Sequence, residues 1–129
     1  DEDLINFEGH TLQIFNTSDM HIQGMASSAL SIQGPLGNVL YTSDVKNLQG
    51  ANLLRFVNDH TVAILQDTSF TMNGAHAFIK DILAYYPKDI HTKIYAMHYN
   101  DQIEDFLLEI KQAGIHYVKQ QEAIIFHLT

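Results

Sequence analysis

The sequence predicts an α+β fold: a mixed sheet covered by helices on one face, in one domain spanning residues 1–129. Three observations predict it. The first third of the chain alternates apolar and polar residues over short segments separated by turn-rich clusters, the period of half-buried strands. From residue 61 onward, compact apolar runs alternate with segments of helical period, the order of crossover units on a partly parallel sheet. Apolar residues make up 46% of the 129 positions, enough to bury a core of ordinary domain size.

The elements follow in order. Residues 7–15 set Thr11 and Gln13 against Leu12 and Ile14, a strand after the turn Glu8-Gly9-His10. Asn16, Thr17, Ser18 and Asp19 read as loop. Residues 28–33 alternate again around Ala29, Leu30 and Ile32, and Gly34-Pro-Leu-Gly-Asn38 turns the chain into a partner strand over 39–42, a hairpin. The period then lengthens. Val45, Leu48, Leu53, Leu54 and Val57 suggest short helical pieces weakened by Gly50. Residues 61–65 form a strand ending at Gln66-Asp67. Ala75, Phe78, Ile79, Ile82, Leu83 and Tyr86 share one helix face, and Pro87 stops that helix. Residues 93–97 are the next strand. Asp101 and Glu104 form a capping-box pattern before a helix carrying Ile103, Phe106, Leu107 and Ile110, which Gly114 ends. Residues 116–118 and 123–126 read as short closing strands. The sheet's second face has no evident cover in this order of elements.

Composition excludes several function classes. There are no cysteines, so neither a disulfide scaffold nor a thiolate zinc site is available, which fits a reducing, cytoplasmic setting. Net charge is −8, from 7 basic and 15 acidic residues, which disfavours a broad nucleic-acid face. The apolar runs are short for a bilayer crossing, and no membrane partner is expected. The chain opens on Asp1 rather than Met, the expectation for a processed or excised piece. Eight histidines is a high count for this length.

Three candidate ligands fall at or near predicted strand ends: His21 in the loop before residue 28, Asp44 at the end of Val39-Leu-Tyr-Thr-Ser-Asp44, and His98 at the end of Lys93-Ile-Tyr-Ala-Met-His98. Imidazole and carboxylate together suit zinc, iron or manganese. On spacing alone the bland readings stand ahead: a loop histidine, a helix N-cap for the segment from Val45, and a polar strand terminus.

The wording of these runs shifts that balance. Val39-Leu-Tyr-Thr-Ser-Asp44 resembles the strand-plus-Gly-Asp-Thr signature of the metallo-beta-lactamase superfamily, with Ser43 where glycine is usual and Val45 where threonine is common. The run ending at His98 is similar to that superfamily's late strand ending in Leu-Thr-His, and the segment from His21 through Gly24 to Ile32 is similar to its middle motif. Ala63-Ile-Leu-Gln-Asp67-Thr-Ser-Phe70 and Gly74-Ala-His76 resemble two short motifs of its phosphodiesterase and transfer-RNA-processing members, and residues 114–126 its final strands. The resemblance covers nearly the whole chain, and its motifs are specific as an ordered set rather than singly.

The resemblance implies half of a four-layer αββα fold and a centre of two divalent metal ions, zinc first, with iron or manganese as the other choices. Asp44 would bridge the ions, His21 would complete one site and His98 the other. Asp67 and His76 would be catalytic, relaying a proton to a leaving group. The ordinary readings of Asp67 as a turn or cap residue and of His76 as a helix-face histidine remain open beside this. The family's His-x-His-x-Asp-His run has no counterpart here, so the resemblance is to the C-terminal half. That implies an incomplete metal site, little or no turnover by the isolated chain, and a bare sheet face. It further implies a partner in the missing N-terminal half or in another protomer, as in a dimer. The function expected is that of a metal-dependent hydrolase fragment acting on a small phosphoester or other ester. The alternatives are a degenerate, non-catalytic interaction or dimerisation domain, and a di-iron relative that binds dioxygen.

Overall fold

The computed structural model describes residues 2–20, 22, 24–97 and 103–129. Seven strands form one mixed sheet, and their spatial order is their order along the chain. The first four are β1 (Glu2–Phe7), β2 (His10–Asn16), β3 (Ser28–Gly34) and β4 (Gly37–Tyr41), each antiparallel to its neighbour. The last three are β5 (Thr61–Asp67), β6 (Ile94–Met97) and β7 (His116–Tyr117), which continue the sheet from β4 in parallel.

Two-residue loops close both hairpins. Phe7 pairs with His10 around Glu8-Gly9, and Gly34 pairs with Gly37 around Pro35-Leu36. Parallel neighbours need crossovers, and short helical pieces supply them. α1 (Leu48–Ala51) starts at Asn47, whose side chain accepts from Gly50 N at 2.9 Å. A 3-10 turn over Leu53–Phe56 follows. α2 (Ile79–Tyr85) ends before Pro87, and α3 (Leu107–Ala113) ends at Gly114. Apolar side chains from one face of the sheet (Phe15, Ala29, Leu40, Ile64, Ile94, Ala96) pack against these helices through Leu48, Leu53, Ile79, Ile82 and Ile110. This layer is the main core, and it packs against β4 and β5, whose carboxyl ends carry the site described below.

The structure corrects the sequence reading in four places. β1 was not expected; its six residues are all exposed, so no burial period marks it. The helix expected from Ala75 begins at Ile79, because the backbone ahead of it is used elsewhere: Ser69 N donates to Ala77 O and Ile79 N to Ser69 O. The strand expected over 116–118 is shortened to β7, although Val118 N still donates to Ala96 O. The strand expected over 123–126 does not form.

That last segment instead lies on the face of the sheet opposite the helices. Phe126 sets its ring edge-on to Tyr95 at 5.4 Å, and Leu128 joins Val39 and Ala63 in a second, smaller apolar cluster. Leu36 N donates to Leu128 O, and a Cβ at Gly34 would collide with the Leu128 carbonyl, so only glycine permits this approach. The second face is therefore partly covered, by an irregular segment. Toward the hairpin edge it stays open, with Ile5 and Phe7 exposed and Ile32 half-buried. The capping-box residue Asp101 lies outside the described residues. Among the described residues, no helix is long and apolar enough to cross a membrane.

Candidate metal centre

The carboxyl ends of β4 and β5 are tied together before any ligand is considered. Thr42 N donates to Leu65 O at 3.0 Å, and Asp67 N donates to the Thr42 hydroxyl at 2.9 Å. Asp67 then returns the contact: its Oδ2 accepts from Val45 N at 2.9 Å. The backbone between Thr42 and Val45 is thereby bent around Ser43, which adopts φ +54°. A left-handed conformation at a residue with a Cβ is strained by about 1 kcal/mol, the reason glycine is the ordinary choice there. The bend presents Asp44 at the sheet's end. Its carbonyl accepts from the Ser27 hydroxyl at 3.0 Å, and Ser27 in turn receives a hydrogen bond from Thr17, fixing the segment before β3 to this corner.

His76 arrives from the loop after β5. Asn73 shapes that loop: its Oδ1 accepts from Ala75 N and His76 N, both at 2.9 Å, while its Nδ2 donates to Ser69 Oγ at 2.8 Å. Lys46 Nζ donates to the Asn73 carbonyl, joining this loop to the Asp44 segment. The result places His76 Nδ1 at 2.8 Å from Asp67 Oδ1 and 2.9 Å from Oδ2. The carboxylate is fully buried and the imidazole is 31% exposed.

Asp44, Asp67 and His76 thus converge, with ligand atoms within 4.8 Å of one another. Two carboxylates and an imidazole are a hard-to-borderline donor set, and the group fits a divalent metal ion such as zinc, manganese or iron. The sequence named all three residues but assigned Asp67 and His76 to proton relay; the fold puts them within ligand distance of Asp44 as well. His21 and His98 lie outside the described residues. The supporting residues Thr42, Asn73 and Lys46 were not foreseen. The Asn73-Gly74 pair was a legible turn signal, but its amide's hold on the His76 backbone depends on the fold.

Elsewhere in the core, Tyr86 donates its hydroxyl to Gln66 Oε1 at 2.7 Å, and burial pushes its phenol well above the ordinary tyrosine range. At the hairpin edge, hydrogen bonding from Gln13 and then from Arg55 holds the Glu2 carboxyl below its ordinary range.

This sheet, with a metal-type group at its strand ends, defines a protein of the metallo-beta-lactamase fold. A solved structure of the metallo-beta-lactamase fold protein YhfI from Bacillus subtilis superposes on 91% of the chain with a TM-score of 0.57, at 11% identity, and the chain covers 48% of that protein. Within that fold, the family profile described as Anti-Pycsar protein Apyc1 matches residues 1–124, and the chain belongs to that family. The Anti-Pycsar protein Apyc1 of Bacillus phage BSP38 is 29% identical over 87 residues, which are 67% of this chain and 33% of the phage protein. The chain therefore spans about a third of that relative and about half of the solved structure.

Proposed function

We propose that this chain carries part of the metal centre of a metal-dependent phosphodiester hydrolase, with cyclic nucleotides as the substrate class. The observation that carries the reading is the convergence of Asp44, Asp67 and His76 at the carboxyl ends of adjacent strands. Membership of a family named for opposing Pycsar supports the substrate class.

When bound, a divalent ion supplies Lewis acidity that makes water nucleophilic at neutral pH. Asp44 would hold the ion, with His21 and His98 as the further ligands that the sequence nominates. Asp67 accepts from Val45 N and faces His76 Nδ1, so it fixes the imidazole's orientation. Nε2, the nitrogen turned from Asp67, would then deliver the proton to the leaving oxygen. The distances among the three residues also support a second assignment, in which Asp67 and His76 ligate the ion directly.

The open part of the second sheet face supports a further layer packed there, whether an N-terminal half or another protomer, as in a four-layer domain.

The test is calorimetric titration of the chain with zinc and manganese, alongside hydrolysis of a cyclic 3′,5′-nucleotide. Weak but saturable binding that Asp44→Asn abolishes is the expected result, with little or no turnover by the chain alone. His76→Ala separates the two assignments: a relay histidine leaves metal binding in place, a ligand does not. A chain that binds neither metal overturns the proposal.

A further inference from the structure

β1 is the first strand of the sheet, and among the described residues nothing pairs with its outer edge. An exposed strand edge offers a row of N–H and C=O groups to any other strand, and proteins ordinarily blunt it with proline, lysine or a bulge. β1 carries none of these. It runs Glu2-Asp-Leu-Ile-Asn-Phe7 in unbroken register with β2. It also exposes three large apolar side chains, Leu4 by 66%, Ile5 by 48% and Phe7 by 62%.

The turn at Glu8-Gly9 decides which backbone groups face outward. Both of its residues have positive φ, +47° and +80°, the mark of a tight two-residue hairpin whose flanking pair, Phe7 and His10, is hydrogen-bonded. Pairing alternates from there. Phe7, Ile5 and Asp3 turn their backbone groups to β2, and Asn6, Leu4 and Glu2 turn theirs outward. Side chains alternate too. Leu4 lies opposite Gln13, on the helix-covered face that Phe15 shares, while Ile5 and Phe7 lie on the other face. Within its own chain, the Glu2 carboxylate meets Arg55 at 2.8 Å and accepts from Gln13 at 2.7 Å, so it calls for no basic partner strand.

We infer that β1 pairs edge to edge with the β1 of a second copy of this chain, antiparallel about a two-fold axis at Leu4. This register uses every outward backbone group of the strand. It sets Leu4 against Leu4, Glu2 against Asn6 and Asp3 against Ile5, so no carboxylate faces a carboxylate. A parallel in-register pairing would align each carboxylate with its own counterpart, and like charges side by side are unfavourable. The seven-stranded sheet becomes continuous across two copies. The inference concerns the edge of the sheet rather than its open second face, and it holds whether or not the metal centre is catalytic.

The chain has no cysteine, so one introduced thiol reports proximity without background. Leu4→Cys places two thiols at a directly opposed pair, about 5.5 Å between Cα atoms, within disulfide range. Phe7 is nearly as exposed as Leu4, but in the paired strands its two copies lie roughly 20 Å apart. Mild oxidation should give a disulfide-linked dimer with Leu4→Cys and little with Phe7→Cys. Sedimentation velocity over a dilution series in a chelating buffer should show a reversible monomer–dimer equilibrium for the wild-type chain. Leu4→Pro removes an outward N–H, leaves the pairing with β2 in place, and should raise the dissociation constant about tenfold. Leu4→Lys keeps every backbone donor, sets two cations together at the axis, and should weaken the dimer as well. Circular dichroism checks that each variant folds. A wild-type chain that stays monomeric at the highest concentration, or equal cross-linking by the two cysteines, would overturn the inference. A dimer indifferent to both Leu4→Pro and Leu4→Lys would also overturn it and would place association on the second sheet face.

Discussion

The antiparallel and parallel parts of the sheet meet at β4 and differ in what holds them. β1 and β2 form a hairpin with little full burial: every residue of β1 is exposed, and in β2 only Phe15 is buried, with 10–14 half-buried. β5 is the reverse, with Ile64, Gln66 and Asp67 all at 0% exposure. The hairpin needs only a two-residue turn and backbone pairing, so its side chains are free to vary. A parallel strand has its neighbours supplied by crossovers that cover it, so its side chains are committed to packing or, at the carboxyl end, to chemistry. The candidate site lies on the committed side, where hydrogen bonds tie the ends of β4 and β5 together.

Substitutions should expose this difference most strongly in the core. Ile64→Ala should cost about 4 kcal/mol of unfolding free energy, whereas Leu4→Ser on the hairpin should stay within about 0.5 kcal/mol; chemical denaturation measures both. Equal losses would mean that the hairpin is as integral as β5. Next in size, Asp67→Ala should cost about 2–3 kcal/mol, since it strips the buried Val45 N–H of its acceptor; in the metal titration, loss of binding would mark Asp67 as a ligand and retained binding as the residue that orients His76. Tyr86→Phe removes the donor to Gln66 and should cost about 1 kcal/mol at neutral pH.

The same variant tests a pH dependence. The folded phenol's pKa is raised, so its contribution is complete below the unfolded tyrosine's pKa and is lost as pH rises through the folded value. The wild-type protein should therefore lose stability in alkali more steeply than Tyr86→Phe in denaturation series. Smaller still, Ser43→Gly should stabilise by up to about 1 kcal/mol by relieving the left-handed bend. The smallest effect belongs to the hairpin. Glu2 is held low by Gln13 and Arg55, so its contribution is present above the unfolded carboxyl pKa and disappears as pH falls through the folded one. Thermal melts of Glu2→Gln and wild type should converge in acid.

The sequence made the covered strands legible because burial leaves a period. β4, β5 and β6 each carry apolar runs that coincide with buried positions, and β3 carries Ala29, Leu30 and Ile32 at buried or half-buried ones. β1 left no such trace, since both its faces meet solvent. The 69–78 loop misled for a different reason. Ala75, Phe78, Ile79 and Ile82 do follow a helical period, yet Asn73 takes the amides of Ala75 and His76, and Ser69 bridges to the chain at 77–79 before the first turn can form. Side-chain competition for backbone hydrogen bonds depends on where a loop returns, which periodicity does not record. At the site, residue identities were legible from ordered motifs, while the clamp of Thr42 on Asp67 and of Asp67 on Val45 required the register of β4 with β5.

Strand order and chain order coincide across the sheet. Each new strand can thus dock on an edge its predecessor has just completed, with only a short loop or one crossover to close at each step. The two tight hairpins close locally, whereas the three parallel pairings each wait on a crossover and are the slower closures. The return of Leu128 to Gly34 is of another kind, linking the segment after β7 to the turn between β3 and β4. It closes a long stretch of chain in one contact, so it acts as a tie between distant parts of the sheet rather than as a local turn.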